Sequence, residues 1–428
     1  MNNKQLINMK KKNARLYPIY KMFSWDLLFY YAIAFVFLVE VKGFSPAQVM
    51  LTDALYPIFK IILNIPSVTI IDKLGKVKSL ILANVILAIY LILLLFCNGV
   101  LNLIFIYIIM AFAFTIKSIV ESNILYDSVS HKKGKGMFSK IEEIGARNYY
   151  LLDGITSLAT GFLFVVNGYL PMIISLMFVI ISIALSTCFK EININEKKDT
   201  RSFKTKILDY KDELKTAFKF IFKSHRLQAI MIFTLFFDGL IYTSYTLRES
   251  MLTELGISAE YFAIIISSLT IVSGVFASLQ EKIHSKFKNR ALTFIVITYV
   301  PTFILIGIIS MLNISIIIKL LLILLMYIIQ YALQSPYYTL SSVYIKNFTT
   351  LEIRTKIAST FDLIKSISQF GVAMFASYLL NIATVGNNFI IIGILFLIIM
   401  VAILIYIKPR FGLKPEDYRK EDIQFNIK

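Results

Sequence analysis

Long apolar segments recur from residue 17 to residue 407, and this feature most constrains the fold. A helix needs roughly 20 mostly apolar residues to cross the hydrocarbon core of a bilayer. Soluble domains carry about 25% charged residues, whereas 16% of this chain is charged and 57% is hydrophobic. The sequence therefore predicts an all-α membrane protein with twelve transmembrane helices, at 17–40, 46–71, 79–97, 101–126, 138–166, 170–188, 227–249, 258–280, 291–311, 315–344, 354–381 and 387–407.

The placement of lysine and arginine predicts how these spans are oriented. Cytoplasmic loops of membrane proteins are enriched in both residues. Of the 44 basic residues, 37 fall in the two terminal segments and in alternating connections. Both termini are therefore expected in the cytoplasm, in a multi-pass protein of the plasma membrane. Because topology accounts for the net charge of +18, no nucleic-acid partner is predicted.

The two halves of the chain resemble each other. Residues 23–30, which contain Asp26, correspond to residues 235–242, which contain Asp238, and three further pairs follow in order at offsets between 209 and 216. Six spans per half is an even number, so the halves share one orientation, as in a parallel repeat. We expect two six-helix bundles around a central cavity, with an N-terminal bundle at 1–189, a linker at 190–226, and a C-terminal bundle and tail at 227–428.

The linker contains an amphipathic pattern at 203–223. Apolar residues recur there at helical spacing, and lysines occupy the other faces. One interpretation is a helix that lies on the inner leaflet of the membrane. The alternative is a plain solvated linker helix. The apolar positions are Phe203, Ile207, Leu214, Phe218 and Ile221.

A loop motif between the second and third spans resembles the major facilitator superfamily. That family carries Gly-x-x-x-Asp-Arg/Lys-x-Gly-Arg/Lys-x-Arg/Lys, and residues 68–78 match it except at the first position, where Val68 stands for glycine. The resemblance extends over essentially the whole chain, and its features are most similar to those of bacterial exporter-like and multidrug-efflux-like members. It implies that the loop stabilises one access state. The motif residues are Asp72, Lys73, Gly75, Lys76 and Lys78.

Elementary chemistry suggests a role for two of these motif residues. Asp72 is expected to offset the positive N-terminus of a neighbouring helix. Gly75 is expected to permit the tight turn between two spans.

Charges inside spans are costly, at about 2.5–3.5 kcal/mol each on insertion scales, and they need a reason. Asp26 and Asp238 occupy equivalent repeat positions on spans one and seven, which line the central cavity in the fold that the resemblance implies. Both are flanked by aromatic residues, and a carboxyl that is removed from water holds a proton more readily. We expect them to carry protons or substrate cations; the alternative is structural pairing with a lysine or arginine. Asp153 ranks third.

A second group of charges lies on spans four and five. Lys117 and Glu121 are four residues apart on one helical face, and Arg147 is expected to share Glu121. This group is either a charge-balanced gate or a substrate contact. In the second half, Asp362 and Lys365 are a similar candidate pair.

Aromatic and amide side chains are the expected cavity walls on spans one, seven and ten. Tyr30, Tyr242 and Gln334 are the main candidates. Aromatic walls with few charges favour a hydrophobic or cationic organic substrate. The other candidates are Tyr337, Tyr338 and Gln330.

Several kinds of chemistry have no support in this sequence. All three histidines are predicted to lie in loops, and the two cysteines provide neither a disulfide framework nor a metal site. A glycine-rich phosphate loop and the spacing of a catalytic triad are both missing, so no cofactor, no metal and no enzymatic activity are predicted.

Taken together, these features predict a secondary transporter, a monomer in the bilayer that exports small hydrophobic or cationic organic molecules in exchange for protons or another coupling ion. The alternatives are a nutrient or metabolite uptake carrier and a non-transporting membrane sensor or lipid-handling scaffold.

Overall fold

The computed structural model describes residues 3–129, 135–192, 203–276, 280–287, 290–349, 353–408 and 410. Every regular element in these ranges is helical. The helices are α1 (Asn3–Ser24), α2 (Ala34–Val36, continued by a π-helix at Phe37–Val41), α3 (Pro46–Leu74), α4 (Lys76–Leu95), α5 (Val100–Ser128), α6 (Lys135–Val166), α7 (Leu170–Thr187), α8 (Phe203–Lys223), α9 (His225–Glu254), α10 (Ala259–Phe276), α11 (Gln280–Phe287), α12 (Ala291–Met311), α13 (Ile316–Asn347), α14 (Arg354–Ile382) and α15 (Val385–Ile407).

The predicted all-α membrane class is confirmed. Within the described ranges, ten helices are long and apolar enough to cross a membrane, and the predicted second to seventh and ninth to twelfth spans each coincide with one of them. The eighth span corresponds to α10, whose apolar part, Ala259–Ser273, is shorter. The first span differs from the prediction of one continuous helix.

The first span is broken after Ser24. Residues 25–33 are not helical, and Phe29 has a φ of 63°. The Asp26 side chain accepts a hydrogen bond of 3.0 Å from the Leu27 backbone N–H. Aspartate side chains compete in this way with the helical bonding of nearby backbone groups. Hydropathy does not detect the break because the interrupted residues are mostly apolar.

The chain forms two compact units. Unit 1 comprises Met1–Phe44, Leu55–Ile207 and Ser258–Ser267; unit 2 comprises Ser45–Ala54, Leu208–Ile257 and Ser268–Lys428. In unit 1, α4 packs against α5 and α7, and α1 packs against α6. In unit 2, α12 packs against α13 and α15, and α9 packs against α14. The domain boundaries predicted at 189 and 226 stay a prediction.

One pair of glycines shows the predicted repeat at the level of the backbone. Gly43 precedes α3 with a φ of 72°, and Gly256 precedes α10 with a φ of 71°. Such left-handed conformations favour glycine because it has no Cβ. The two glycines are equivalent in the repeat, so both halves enter their second span through the same turn.

The amphipathic segment forms a helix, α8, with the bounds that the sequence predicts. Ala217 and Ile221, which belong to unit 2, are fully buried. Ile207 and Leu208 are exposed. A role at the membrane surface stays a prediction.

Candidate functional site

Unit 1 contains a polar cavity of about 480 Å³, formed by α1, the broken segment, α3, α5 and α6. We call it the unit 1 cavity. Six of its lining side chains are charged and five are aromatic, so it combines ion pairs with flat apolar walls. The charged residues are Lys21, Asp26, Lys60, Lys117, Glu121 and Glu142, and the aromatic ones are Tyr17, Trp25, Tyr31, Tyr56 and Phe114.

Asp26, Lys117 and Glu121 form the centre of this site. Lys117 Nζ lies 3.8 Å from Glu121 Oε1, and both side chains are largely buried. Asp26 lines the same cavity and interacts electrostatically with Lys117. Glu121 Oε1 has no hydrogen-bond partner. Two carboxylates therefore share one lysine, which gives this group a formal charge of −1.

Arg147 lies elsewhere. Its side chain is exposed and is not among the residues that line the unit 1 cavity. Glu142, five residues earlier on α6, lines the cavity instead and forms an ion pair with Lys21. Residues five apart on a helix point about 140° away from each other. Hydropathy predicts how deep these charges lie along the span, but it does not predict which face of α6 lines the cavity.

The break in the first span changes which of two neighbouring tyrosines lines the cavity. Tyr30, the predicted cavity residue, is buried, with its hydroxyl 2.5 Å from that of Tyr90. Tyr31 lines the cavity in its place. The prediction of Tyr30 holds for a continuous helix. Because the backbone at 25–33 is irregular, Tyr31 lines the cavity instead.

Asp153, on α6, is not among the residues that line the unit 1 cavity. Its Oδ1 atom lies 3.5 Å from the Ser157 hydroxyl, which donates to it. Asp153 therefore lies outside the lining of the cavity, although its carboxylate interacts electrostatically with that of Asp26.

In unit 2, Asp238 is buried on α9 and has two partners. The Tyr337 hydroxyl, on α13, donates a hydrogen bond of 2.7 Å to Oδ2, and Lys365 Nζ, on α14, lies 4.0 Å from the same atom. Sequence spacing predicts a pair between Lys365 and Asp362, whereas the structure brings Lys365 to Asp238. Gly239 permits the close approach of α14, because a Cβ there would stand 2.5 Å from Ser368 Oγ and 3.1 Å from the Ser368 carbonyl oxygen.

The other two predicted wall residues of unit 2 are engaged in hydrogen bonds. The Tyr242 hydroxyl donates to the backbone carbonyl of Asp53 at 2.6 Å. Gln334 is buried; its Oε1 accepts from the Tyr245 hydroxyl at 3.3 Å, and its Nε2 donates to Tyr299 at 3.5 Å. These contacts join α9, α12 and α13 around a polar seam.

Two ion pairs connect the loop motif to other parts of unit 1. Lys76 Nζ lies 2.7 Å from Asp127 Oδ2, and Asp72 pairs with Lys206 of α8. Lys73 and Lys78 are exposed.

The N-terminus of α4, the helix after this loop, is capped by a residue from elsewhere in the chain. Glu191 accepts hydrogen bonds from the Lys76 and Val77 backbone N–H groups at 3.0 and 2.7 Å. That Asp72 offsets the N-terminus of a neighbouring helix stays a prediction. Gly75, the residue just before α4, has a φ of 87°. The sequence contained no signal for this cap because Glu191 is more than a hundred residues away.

Among the described residues, no group of three or more His, Cys, Asp or Glu side chains is placed to hold a metal ion. The lining residues that the sequence did not identify include Lys21, Tyr31, Tyr56 and Glu142. For the first three, the available signal was the alternation of charged and aromatic residues along spans one and two, whereas Glu142 lies on α6.

Comparison with known proteins gives one family and several related folds. The family model of the Major Facilitator Superfamily matches residues 21–342. No curated protein sequence matches the chain.

Among solved structures, the fold is similar to that of the nucleoside transporter NupG (TM-score 0.66, 14% identity, covering 95% of this chain and 100% of that one). It is also similar to a bacterial homologue of the human lysosomal transporter Spinster (0.61, 13%, 98% and 98%). A third is the POT family transporter PepTSo (0.66, 10%, 99% and 99%). At these identities the likeness shows the fold alone.

Proposed function

Because the chain belongs to the Major Facilitator Superfamily, we propose that it is a secondary active transporter that exchanges protons for small organic compounds across the plasma membrane. Alternating access of two helical bundles is the mechanism that this fold supports. The proposed coupling ion is the proton, the proposed direction is export, and the proposed substrates are small hydrophobic or cationic organic compounds.

One observation carries the proposal of proton coupling. Asp26 and Asp238 are equivalent in the repeat, and each is associated with a lysine of another helix in its own unit, Lys117 and Lys365. A carboxylate that binds a proton loses its charge and releases its lysine. Proton binding therefore changes the local ion pairing in each unit, which is the differential interaction that a conformational equilibrium needs.

The chemistry of the unit 1 cavity supports a substrate with a basic group. Asp26 and Glu121 share Lys117, and these three residues carry one net negative charge within a lining that also contains the Lys21–Glu142 ion pair and Lys60. Trp25, Tyr31 and Tyr56 present aromatic faces beside these charges. Aromatic faces and carboxylates together suit an organic cation. The resemblance of residues 64–66 and 125–129 to segments of exporter-like members supports outward transport.

The direction and the substrate are tested first in cells. A susceptible bacterial host is grown with and without the gene in a panel of organic cations and neutral compounds. Protection by the gene against a group of organic cations supports export. Sensitisation by the gene indicates uptake and would contradict the proposed direction.

Coupling is then tested with the full chain in proteoliposomes that contain a pH-sensitive dye. A compound selected from the panel should drive proton movement in the wild type. Asp26→Asn and Asp238→Asn should each abolish this movement while membrane insertion is retained. Glu143→Gln, which changes an exposed carboxylate outside the cavity, is the matched control. Normal proton movement in both aspartate variants would overturn the coupling proposal.

A further inference from the structure

Arg248 is a buried arginine of α9 that takes no part in the proposed coupling mechanism. Its side chain is 1% exposed. The rings of three tyrosines surround its guanidinium carbon, which lies 4.4 Å from the ring centre of Tyr331, 5.1 Å from that of Tyr245 and 5.8 Å from that of Tyr327. We call these three residues the tyrosine cage.

The guanidinium lacks the hydrogen bonds that a buried charge needs. Its Nε and Nη1 atoms have no partner, and neither has the buried hydroxyl of Tyr327. Arginine stays charged under all ordinary conditions, and leaving a charged donor unsatisfied is strongly unfavourable. A purely structural arginine would be expected to use these donors within the protein.

No carboxylate in the described part of the chain forms an ion pair with Arg248. Glu249, the next residue, interacts electrostatically with Arg248, but the two side chains form no ion pair because adjacent residues of a helix do not face each other. Cation–π contact with the tyrosine cage offsets part of the cost of burying the charge. It leaves the N–H groups in the plane of the guanidinium available to an acceptor.

The position of the cage relates it to the candidate site of unit 2. Asp238, Tyr242, Tyr245 and Glu249 follow one face of α9 at helical spacing, and the last three of them are only partly buried. Arg248 lies beside this face, with its guanidinium carbon 5.1 Å from the ring centre of Tyr245. Displacement of the Tyr245 ring would uncover the guanidinium, about 15 Å along α9 from Asp238.

We propose that Arg248 and the tyrosine cage bind a carboxylate group of the transported compound. This inference deepens the proposed function and rests on it, because it adds an acidic group to the basic group expected from the unit 1 cavity. The substrate class is then amphoteric organic compounds, which carry both an amine and a carboxylate. The negative group satisfies the free donors of Arg248 and the Tyr327 hydroxyl.

The test is a binding measurement on the purified full chain in detergent, with thermal unfolding as the readout. Four probes share one phenyl ring: L-phenylalanine has both charges, 3-phenylpropionate only the acid, 2-phenylethylamine only the amine, and 3-phenylpropanol neither. The two acids should stabilise the wild type more than the alcohol does. Inorganic phosphate at equal ionic strength separates recognition of an organic carboxylate from recognition of any anion.

Arg248→Gln should abolish the additional stabilisation by both acids and weaken their affinity at least about tenfold, as loss of hydrogen bonds to a charged group implies. Its response to 2-phenylethylamine should be retained, which shows that the variant is folded. Arg248→Lys, which keeps the charge without the planar donors, should restore only part of the acid response. Arg226→Gln, at the other end of α9, is the matched control and should respond like the wild type.

Three results would overturn the inference: equal responses of the wild type to all four probes, including no response to any; an unchanged acid response in Arg248→Gln; or an equal effect of phosphate. Because the measurement needs no ion gradient, its failure is distinguishable from failure of proton coupling.

Discussion

The Tyr337 hydroxyl donates a 2.7 Å hydrogen bond to the Asp238 oxygen that Lys365 approaches to 4.0 Å. One carboxylate atom of α9 thus links two other helices of unit 2, α13 and α14. A change at this atom alters both contacts together, which makes the cluster suited to respond to a bound proton.

Replacement of Tyr337 by phenylalanine tests this link. A hydrogen bond to a charged group contributes about 1.5–3 kcal/mol, so Tyr337→Phe should reduce gradient-driven transport roughly tenfold or more. Proteoliposome flux measures the effect. Tyr344→Phe, another buried tyrosine of α13, should have a much smaller effect, and equal losses in the two variants would argue against a specific role of Tyr337.

Two adjacent tyrosines should separate binding from stability. Tyr31 lines the unit 1 cavity, whereas the Tyr30 hydroxyl faces that of Tyr90 in the interior. Tyr31→Ala should weaken substrate binding with little change in melting temperature. Tyr30→Phe should lower the melting temperature, because it removes a buried hydrogen bond between two hydroxyls that is typically worth about 0.5–1.5 kcal/mol, and should spare binding. The reverse pattern would show that the broken segment is oriented differently.

Because Asp26 and Glu121 share Lys117, substitutions at Lys117 and at Asp26 should have non-additive effects on stability. Lys117→Met leaves Asp26 and Glu121 without their common positive partner, and should lower the melting temperature. Asp26→Asn in the same chain removes one of the two unbalanced charges, and should restore part of the loss. Residues in one charge network typically show coupling of about 0.5–3 kcal/mol. Thermal unfolding of the two single variants and the double variant measures it, and strictly additive changes would contradict the network.

Two glycines offer a matched test of the loop motif. Gly75 and Gly99 both precede a helix with positive φ, 87° and 82°. A Cβ at Gly75 would lie 3.3 Å from the Glu191 carboxylate, whereas a Cβ at Gly99 would meet nothing within 4 Å. Gly75→Ala should therefore lower the melting temperature more than Gly99→Ala does. Glu191→Gln should lose part of the cap, which is typically worth about 1 kcal/mol, and so should reduce the difference.

A second pair of glycines tests the packing behind Asp238. Gly239→Ala should push α14 away from α9, because the added methyl overlaps with Ser368, whereas Gly371→Ala meets open space. Overpacking of this kind costs about 1–3 kcal/mol. Gly239→Ala should therefore lower both the melting temperature and transport, and Gly371→Ala neither. Equal behaviour of the two variants would indicate that α14 shifts without cost.

Much of the architecture followed from hydropathy, because a span must satisfy its backbone internally and bury its apolar side chains in lipid. The bounds of α8, α12 and α14 lie within a residue of the predicted ones. The break after Ser24 did not follow from hydropathy, since it involves a local hydrogen bond that the Asp26 carboxylate accepts from the Leu27 backbone N–H. Because of that break, Tyr31 rather than Tyr30 lines the unit 1 cavity.

Some features of the candidate site likewise follow from the sequence, whereas others depend on the tertiary structure. The sequence alone determined the class of protein, the repeat that relates Asp26 to Asp238, and the nearby pair of Lys117 and Glu121, because each depends on composition or on helical spacing along the chain. Only the tertiary structure decided that Lys365 reaches Asp238, that Glu142 lines the cavity while Arg147 does not, and that Arg248 is enclosed by tyrosines. These contacts depend on the rotation of each helix about its axis. Rotation is set by packing between helices, and in a span that is apolar on most sides the sequence leaves it undetermined.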